Sequence, residues 1–152
     1  MISAQIRLAA PDDIPRLCEL LAILFTQEAD FTPDAQRQAR GLSLIIGNAE
    51  TGRVYCAVHS GAIVGMVSIL FTVSTAEGGR AAWLEDMIVH PDWRGHGVGR
   101  QLLTHAIGEA KAAGCLRVAL KTDQTNEAAM RFYRRAGFVR SQMVPFRLSL
   151  SP

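Results

Sequence analysis

The apolar positions fall into two periods along the chain, and the change from one to the other marks the elements. "ISAQIRL" (residues 2–8) alternates polar and apolar as a half-buried strand does, whereas "PDDIPRLCELLAILF" sets Ile14, Leu17, Leu21 and Leu24 at helical spacing. "FTPDAQRQARGLSLIIGN" reads as a second helix with Thr32 as N-cap, Pro33 in the first helical position and Gly47-Asn48 as the stop. From Arg53 to Val89 the period becomes two. "RVYCAVH", "AIVGMVSILFTV" and "AAWLEDMIV", separated by Ser60-Gly61 and by a loop at Glu77 to Gly79, predict an antiparallel meander.

Helical spacing then returns. Val98, Leu102, Ala106, Ala110 and Ala113 form one face, widened by Leu103 and Ile107, and Gly114 stands where a C-cap glycine belongs. "CLRVALKT" is a short strand. "TNEAAMRFYRRAGF" is a helix capped by Thr125 or Asn126, with Ala129, Phe132, Tyr133 and Ala136 on one face and Gly137 at its end, and "FVRSQMVPFRLSL" supplies one or two last strands. The order implies an α/β (mixed α+β) class, a mixed sheet with helices on its faces. No repeat or linker divides the chain, so residues 1–152 are read as a single domain.

Composition narrows this picture only a little. A chain of 152 residues, 49% apolar, is long enough for one full core. Its 16 basic and 14 acidic side chains leave +2, too little for a dedicated nucleic-acid surface. Cys18, Cys56 and Cys115 are odd in number and scattered, and the four histidines are not at ligand spacing, so neither disulfides nor a metal is expected. The longest apolar run, "LLAILF", is too short for a membrane span, and the N-terminus lacks the pattern of a secretory leader. These features suggest a cytoplasmic protein.

The chemistry concentrates in "VHPDWRGHGVGRQLL" (residues 89–103). Gly95, Gly97 and Gly99 lie between Arg94 and Arg100 where a strand gives way to a helix. Close-spaced glycines there expose several N–H groups at the positive end of a helix dipole, an arrangement suited to a phosphate or pyrophosphate. The nucleotide P-loop is missing its Gly-Lys-Ser/Thr, and the dinucleotide fingerprint would need glycine at Arg100 or Leu102. GxSxG is absent too, which disfavours a covalent acyl-enzyme of the hydrolase kind.

Arg94-x-x-Gly97-x-Gly99 resembles the pyrophosphate turn of the GNAT superfamily of N-acetyltransferases. "WLEDMIVHPDWRGHGVGRQLL" is similar to that family's fourth strand, turn and helix, above all in the polyamine-type enzymes, and "TNEAAMRFYRRAGF" resembles its later Asn...Tyr segment. The likeness covers essentially the whole chain. It implies a mostly antiparallel sheet of six to seven strands with about four helices, strands four and five parallel and splayed. It implies acetyl-CoA as cosubstrate and no metal. The backbone of Met87, Ile88 and Val89 would pair with the pantetheine arm. Amides of Arg94, Gly95, His96, Gly97, Val98, Gly99 and Arg100 would surround the diphosphate, with Asn126 and Tyr133 adding cofactor contacts.

Amide formation from a thioester needs a base for an amine of pKa about 10.4 and a donor for the departing sulfur. Glu85 and Asp86 are adjacent in an apolar strand, and alternation sends them to opposite faces unless a bulge intervenes. The resemblance favours Glu85 as base through a water, with Asp86 binding a cationic acceptor or pairing with an arginine such as Arg80. Tyr133 belongs by spacing to a packed helical face, and by resemblance is the acid. The resemblance places acceptor choice in "TQEADFTPD" (about residues 26–34) and near Ser74 to Arg80; Glu28, Asp30 and Asp34 with Phe31 are candidate acceptor contacts, although the same composition suits a solvated loop. Direct transfer to a small-molecule or peptide amine is expected, with a non-catalytic CoA sensor as the competing class. No nucleic-acid or membrane partner is expected, and a homodimer is compatible with a domain of this size.

Overall fold

The computed structural model describes residues 1–28 and 30–151. These fall into two compact units, Met1–Lys121 and Thr122 onward.

The first unit is built on a five-stranded sheet in sequence order: β1 (Gln5–Leu8), β2 (Gly52–His59), β3 (Ala62–Ser74), β4 (Gly79–Val89) and β5 (Val118–Leu120). The first four strands are antiparallel neighbours and β4–β5 is parallel. The expected six to seven strands therefore become five. No strand follows β5 among the described residues, although Val144, Phe146, Leu148 and Leu150 keep a period of two. Such a period specifies a face and not a partner; with no ladder to join, this stretch takes no strand conformation.

α1 (Ile14–Gln27) and α2 (Ala35–Ile46) cover one side of the sheet. Leu17, Leu20, Leu21 and Leu24 of α1 are buried with Leu42, Val54, Cys56, Met66 and Ile88, each such side chain contributing roughly 1.5–3 kcal/mol. The α2 cap is Asp34, whose carboxylate accepts the Arg37 N–H at 3.2 Å, two residues beyond the expected Thr32. Asp34 closes the first turn with its own side chain, so Pro33 stays outside the helix. Ahead of α1, Arg7 of β1 forks onto Asp13 at 2.8 and 3.0 Å.

α3 (Val98–Ala112) buries Val98, Leu102, Leu103, Ala106 and Ala110 against the other side, as its pattern predicts. Gly65 of β3 lets it approach: a methyl there would meet Leu102 Cδ1 at 3.0 Å.

The second unit holds α4 (Glu127–Arg135), capped by Asn126, whose Oδ1 accepts the Ala129 N–H at 3.0 Å. Gly137, with φ +101, ends it.

Candidate active site

The β3–β4 ladder contains an irregularity that decides where Glu85 points. Met66 opposes Ile88 and Ser68 opposes Glu85, so two residues of β4, Asp86 and Met87, face the single Val67. This is a β-bulge. Met66 and Ile88 belong to the core under α1 and α2, and Ser68, two residues on from Met66, shares their face. Glu85, directly across from Ser68, therefore looks toward the α1–α2 side as well. Ser68 is fully buried and its hydroxyl has no hydrogen-bond partner among the described residues.

Asp86 occupies the bulge with φ +30, a left-handed backbone unusual for a non-glycine residue. Burial is the main cause that raises its carboxyl to about 6, and the negative charges of Glu85 and Glu28 add to the shift. Of the two alternatives for Asp86, the pair with Arg80 does not form: Arg80 binds Glu50 at 2.9 Å and lies over Phe71. The structure thus brings both Glu85 and Glu28 within electrostatic reach of Asp86. Phe31 packs on Phe25, ring centroids 5.4 Å apart, and Asp30 is exposed. Ala29, inside the stretch 26–34, lies outside the described residues.

β5 pairs only with Ala82, Trp83 and Leu84. From Glu85 to Val89 the edge of β4 turned away from β3 has no strand beside it among the described residues. Along Met87, Ile88 and Val89 the β4 backbone thus has no strand partner on that edge among the described residues, the Val89 carbonyl being taken by Arg94.

Beyond β4, a short 3-10 turn (Pro91–Trp93) leads into the glycine turn. His90 Nδ1 accepts the Asp92 N–H at 3.2 Å, and Arg94 Nε donates to the Val89 carbonyl at 3.1 Å, folding the segment back on the strand end. Gly95 and Gly97 have φ +78 and +84, so both use the freedom that only glycine has at low cost. Gly97 is the N-cap of α3. The amides of six consecutive residues, Gly95 to Arg100, find no acceptor among the described residues. They stand at the start of a 15-residue helix, whose dipole favours negative charge there. A diphosphate group fits this donor set.

Asn126 and Tyr133 belong to the second unit. The Tyr133 ring packs edge-on against Phe132 and Phe138, with centroids 5.2 and 5.7 Å away. α4 has no buried residue, so this apolar face is only half-covered.

Two residues with a bearing on the site escaped sequence reasoning. Ser68 could have been noticed as the one polar residue inside "AIVGMVSILF". Gln101 gives no local signal, because the partners described below lie almost a hundred residues away.

A strand edge without a neighbour, followed by a row of amides without acceptors at a helix start, can pair with an extended ligand and hold its anionic group. Residues 14–138 match the acetyltransferase (GNAT) family, and the chain belongs to that family. It is 28% identical to the aminoglycoside N(6')-acetyltransferase type 1 of Stenotrophomonas maltophilia, over 97% of this chain and 94% of that one. It is 33% identical to the glucosamine 6-phosphate N-acetyltransferase of Trypanosoma brucei brucei over 57% of each chain, so it spans little more than half of that relative. Among solved structures, a putative acetyltransferase from Agrobacterium tumefaciens str. C58 superposes with a TM-score of 0.79 at 27% identity, covering 95% of this chain and 99% of that one.

Proposed function

We propose that this protein is an acetyl-CoA-dependent N-acetyltransferase acting by direct transfer on a primary amine of a small cationic molecule or peptide. The observation that carries this reading is the row of six unpaired amides from Gly95 to Arg100. Acetyl-CoA, when bound, supplies an activated acetyl thioester. The amides hold its diphosphate, and the open edge of Met87, Ile88 and Val89 pairs with the pantetheine. Asn126 adds a contact to that arm.

Glu85, aimed toward the α1–α2 side, takes a proton from the acceptor's ammonium through a water, and the neutral amine then attacks the thioester. Asp86 and Glu28 supply negative charge that attracts a cationic acceptor, with Asp30 and Phe31 on the same loop. Support for an amine of this kind comes from relatives named for an aminoglycoside and for glucosamine 6-phosphate. Tyr133 is the acid for the departing sulfur, since a phenol O–H is a hydrogen-bond donor. We also assign a homodimer to this protein, formed between the apolar C-terminal segments of two copies, where Val144, Phe146, Leu148 and Leu150 are 74–96% exposed.

The test is calorimetry with CoA followed by thiol release against a panel of amines. Binding with transfer to a cationic amine supports the reading, with Glu85→Gln and Tyr133→Phe each lowering kcat by about 10²-fold or more while CoA affinity holds. Binding without transfer to any amine replaces it with a CoA sensor.

A further inference from the structure

We infer that the Gln101 side chain and the backbone of residues 1–4 form a strap that aims the amides of the glycine turn. Gln101 is thereby a positioning residue for the coenzyme diphosphate, an inference that rests on the reading of the turn given above.

The strap is fully traced by hydrogen bonds. Gln101 Nε2 donates to the Ile2 carbonyl at 2.8 Å and to the Gly97 carbonyl at 3.2 Å, and its Oε1 accepts the Ala4 N–H at 2.9 Å. The Ile2 N–H donates to the His96 carbonyl at 3.0 Å. Gly97 O also accepts the Gln101 backbone N–H at 3.2 Å. The Met1 thioether closes the arrangement, lying against Gly97 where a side chain would project; its sulfur is 3.0 Å from the place a Cβ would take.

The consequence follows from the shape of a trans peptide, in which C=O and N–H point in opposite directions. The His96 carbonyl shares its peptide with the Gly97 N–H, and the Gly97 carbonyl shares its peptide with the Val98 N–H. Fixing both carbonyls toward the strap turns both N–H groups away from it, outward and without acceptors. Gly97 needs this hold because glycine otherwise visits several backbone wells. A turn left loose must be ordered when the anion binds, and that ordering weakens affinity. Residues 1–4, ahead of β1, thus serve the coenzyme site from almost a hundred positions away in the chain.

Gln101→Met keeps length and helix propensity but removes the side-chain donors and acceptor. It is expected to raise the calorimetric Kd for CoA about five- to tenfold and the KM for acetyl-CoA in step, with kcat and acceptor KM within twofold. Removal of residues 1–3 is expected to give the same rise. Combining the two should add little more, because both changes break one device. A Kd within twofold of the parent in both single variants overturns the inference, as does full additivity. A parent chain that does not bind CoA refutes the coenzyme reading itself, a result distinct from either of these.

Discussion

Ser68 and Glu85 face each other across the β3–β4 ladder, the hydroxyl fully buried and without a hydrogen-bond partner among the described residues, the glutamate partly exposed. A buried hydroxyl that makes no hydrogen bond loses its hydration and gains nothing in return. Ser68→Ala should therefore stabilise the protein by about 1 kcal/mol, seen as a higher urea midpoint at unchanged slope. A lower midpoint would show that the hydroxyl is bonded in solution.

Asp86 makes stability depend on pH in a definite direction. Its carboxyl is raised to about 6, so between pH 4 and 6 the folded chain keeps a proton that the unfolded chain has lost. The stability this contributes is complete below about pH 4 and disappears as pH rises through 6. Asp86→Asn keeps a residue type that tolerates the left-handed backbone and does not titrate. It should exceed the parent by up to about 3 kcal/mol at pH 8, with the gap closing below pH 4. Urea titrations at the two pH values decide this; an equal gap at both would mean that Asp86 titrates normally.

Gly95 and Gly97 share a positive φ but not their surroundings. An added methyl meets nothing within 4 Å at Gly95, whereas at Gly97 it runs into the Cε methyl of Met1. Gly95→Ala should carry only the backbone cost of about 1–2 kcal/mol, while Gly97→Ala also displaces the strap. CoA affinity should consequently fall further in Gly97→Ala, by at least a further threefold. Equal losses by calorimetry would show that Met1 does not pack there in solution.

The C-terminal segment predicts behaviour at the level of assembly. Ending the chain after Arg140 removes Val144, Phe146, Leu148 and Leu150 together. The full chain should sediment as a dimer at micromolar concentration and the shortened one as a monomer. A monomeric full chain would exclude the dimer assigned above.

What the sequence disclosed divides along the range of the interactions. The meander, the α3 stripe and the glycine ends at Gly114 and Gly137 could be read because alternation, helical spacing and positive-φ punctuation are local. The turn was legible for the same reason, with glycine at both positions that adopt positive φ. The bulge was not: two adjacent carboxylates raised the possibility, but only the pairing of Met66 with Ile88 and Ser68 with Glu85 fixes it. The choice of Asp34 over Thr32 rests on which side chain reaches the Arg37 amide. The C-terminal stretch forms no strand because a two-residue period specifies a face but supplies no pairing edge. Gln101 was invisible because residues 2 and 4 lie 99 and 97 positions away.

One surplus residue in β4 has an effect out of proportion to its size. In an uninterrupted strand, positions 85 and 88 would look in opposite directions; here the same side of the sheet receives both, one ending in a carboxylate and the other anchored beneath the first helix. Excising either Asp86 or Met87 would leave Glu85 and Ile88 two positions apart, still on one side and still opposite Ser68 and Met66, and would straighten the ladder by removing the left-handed kink.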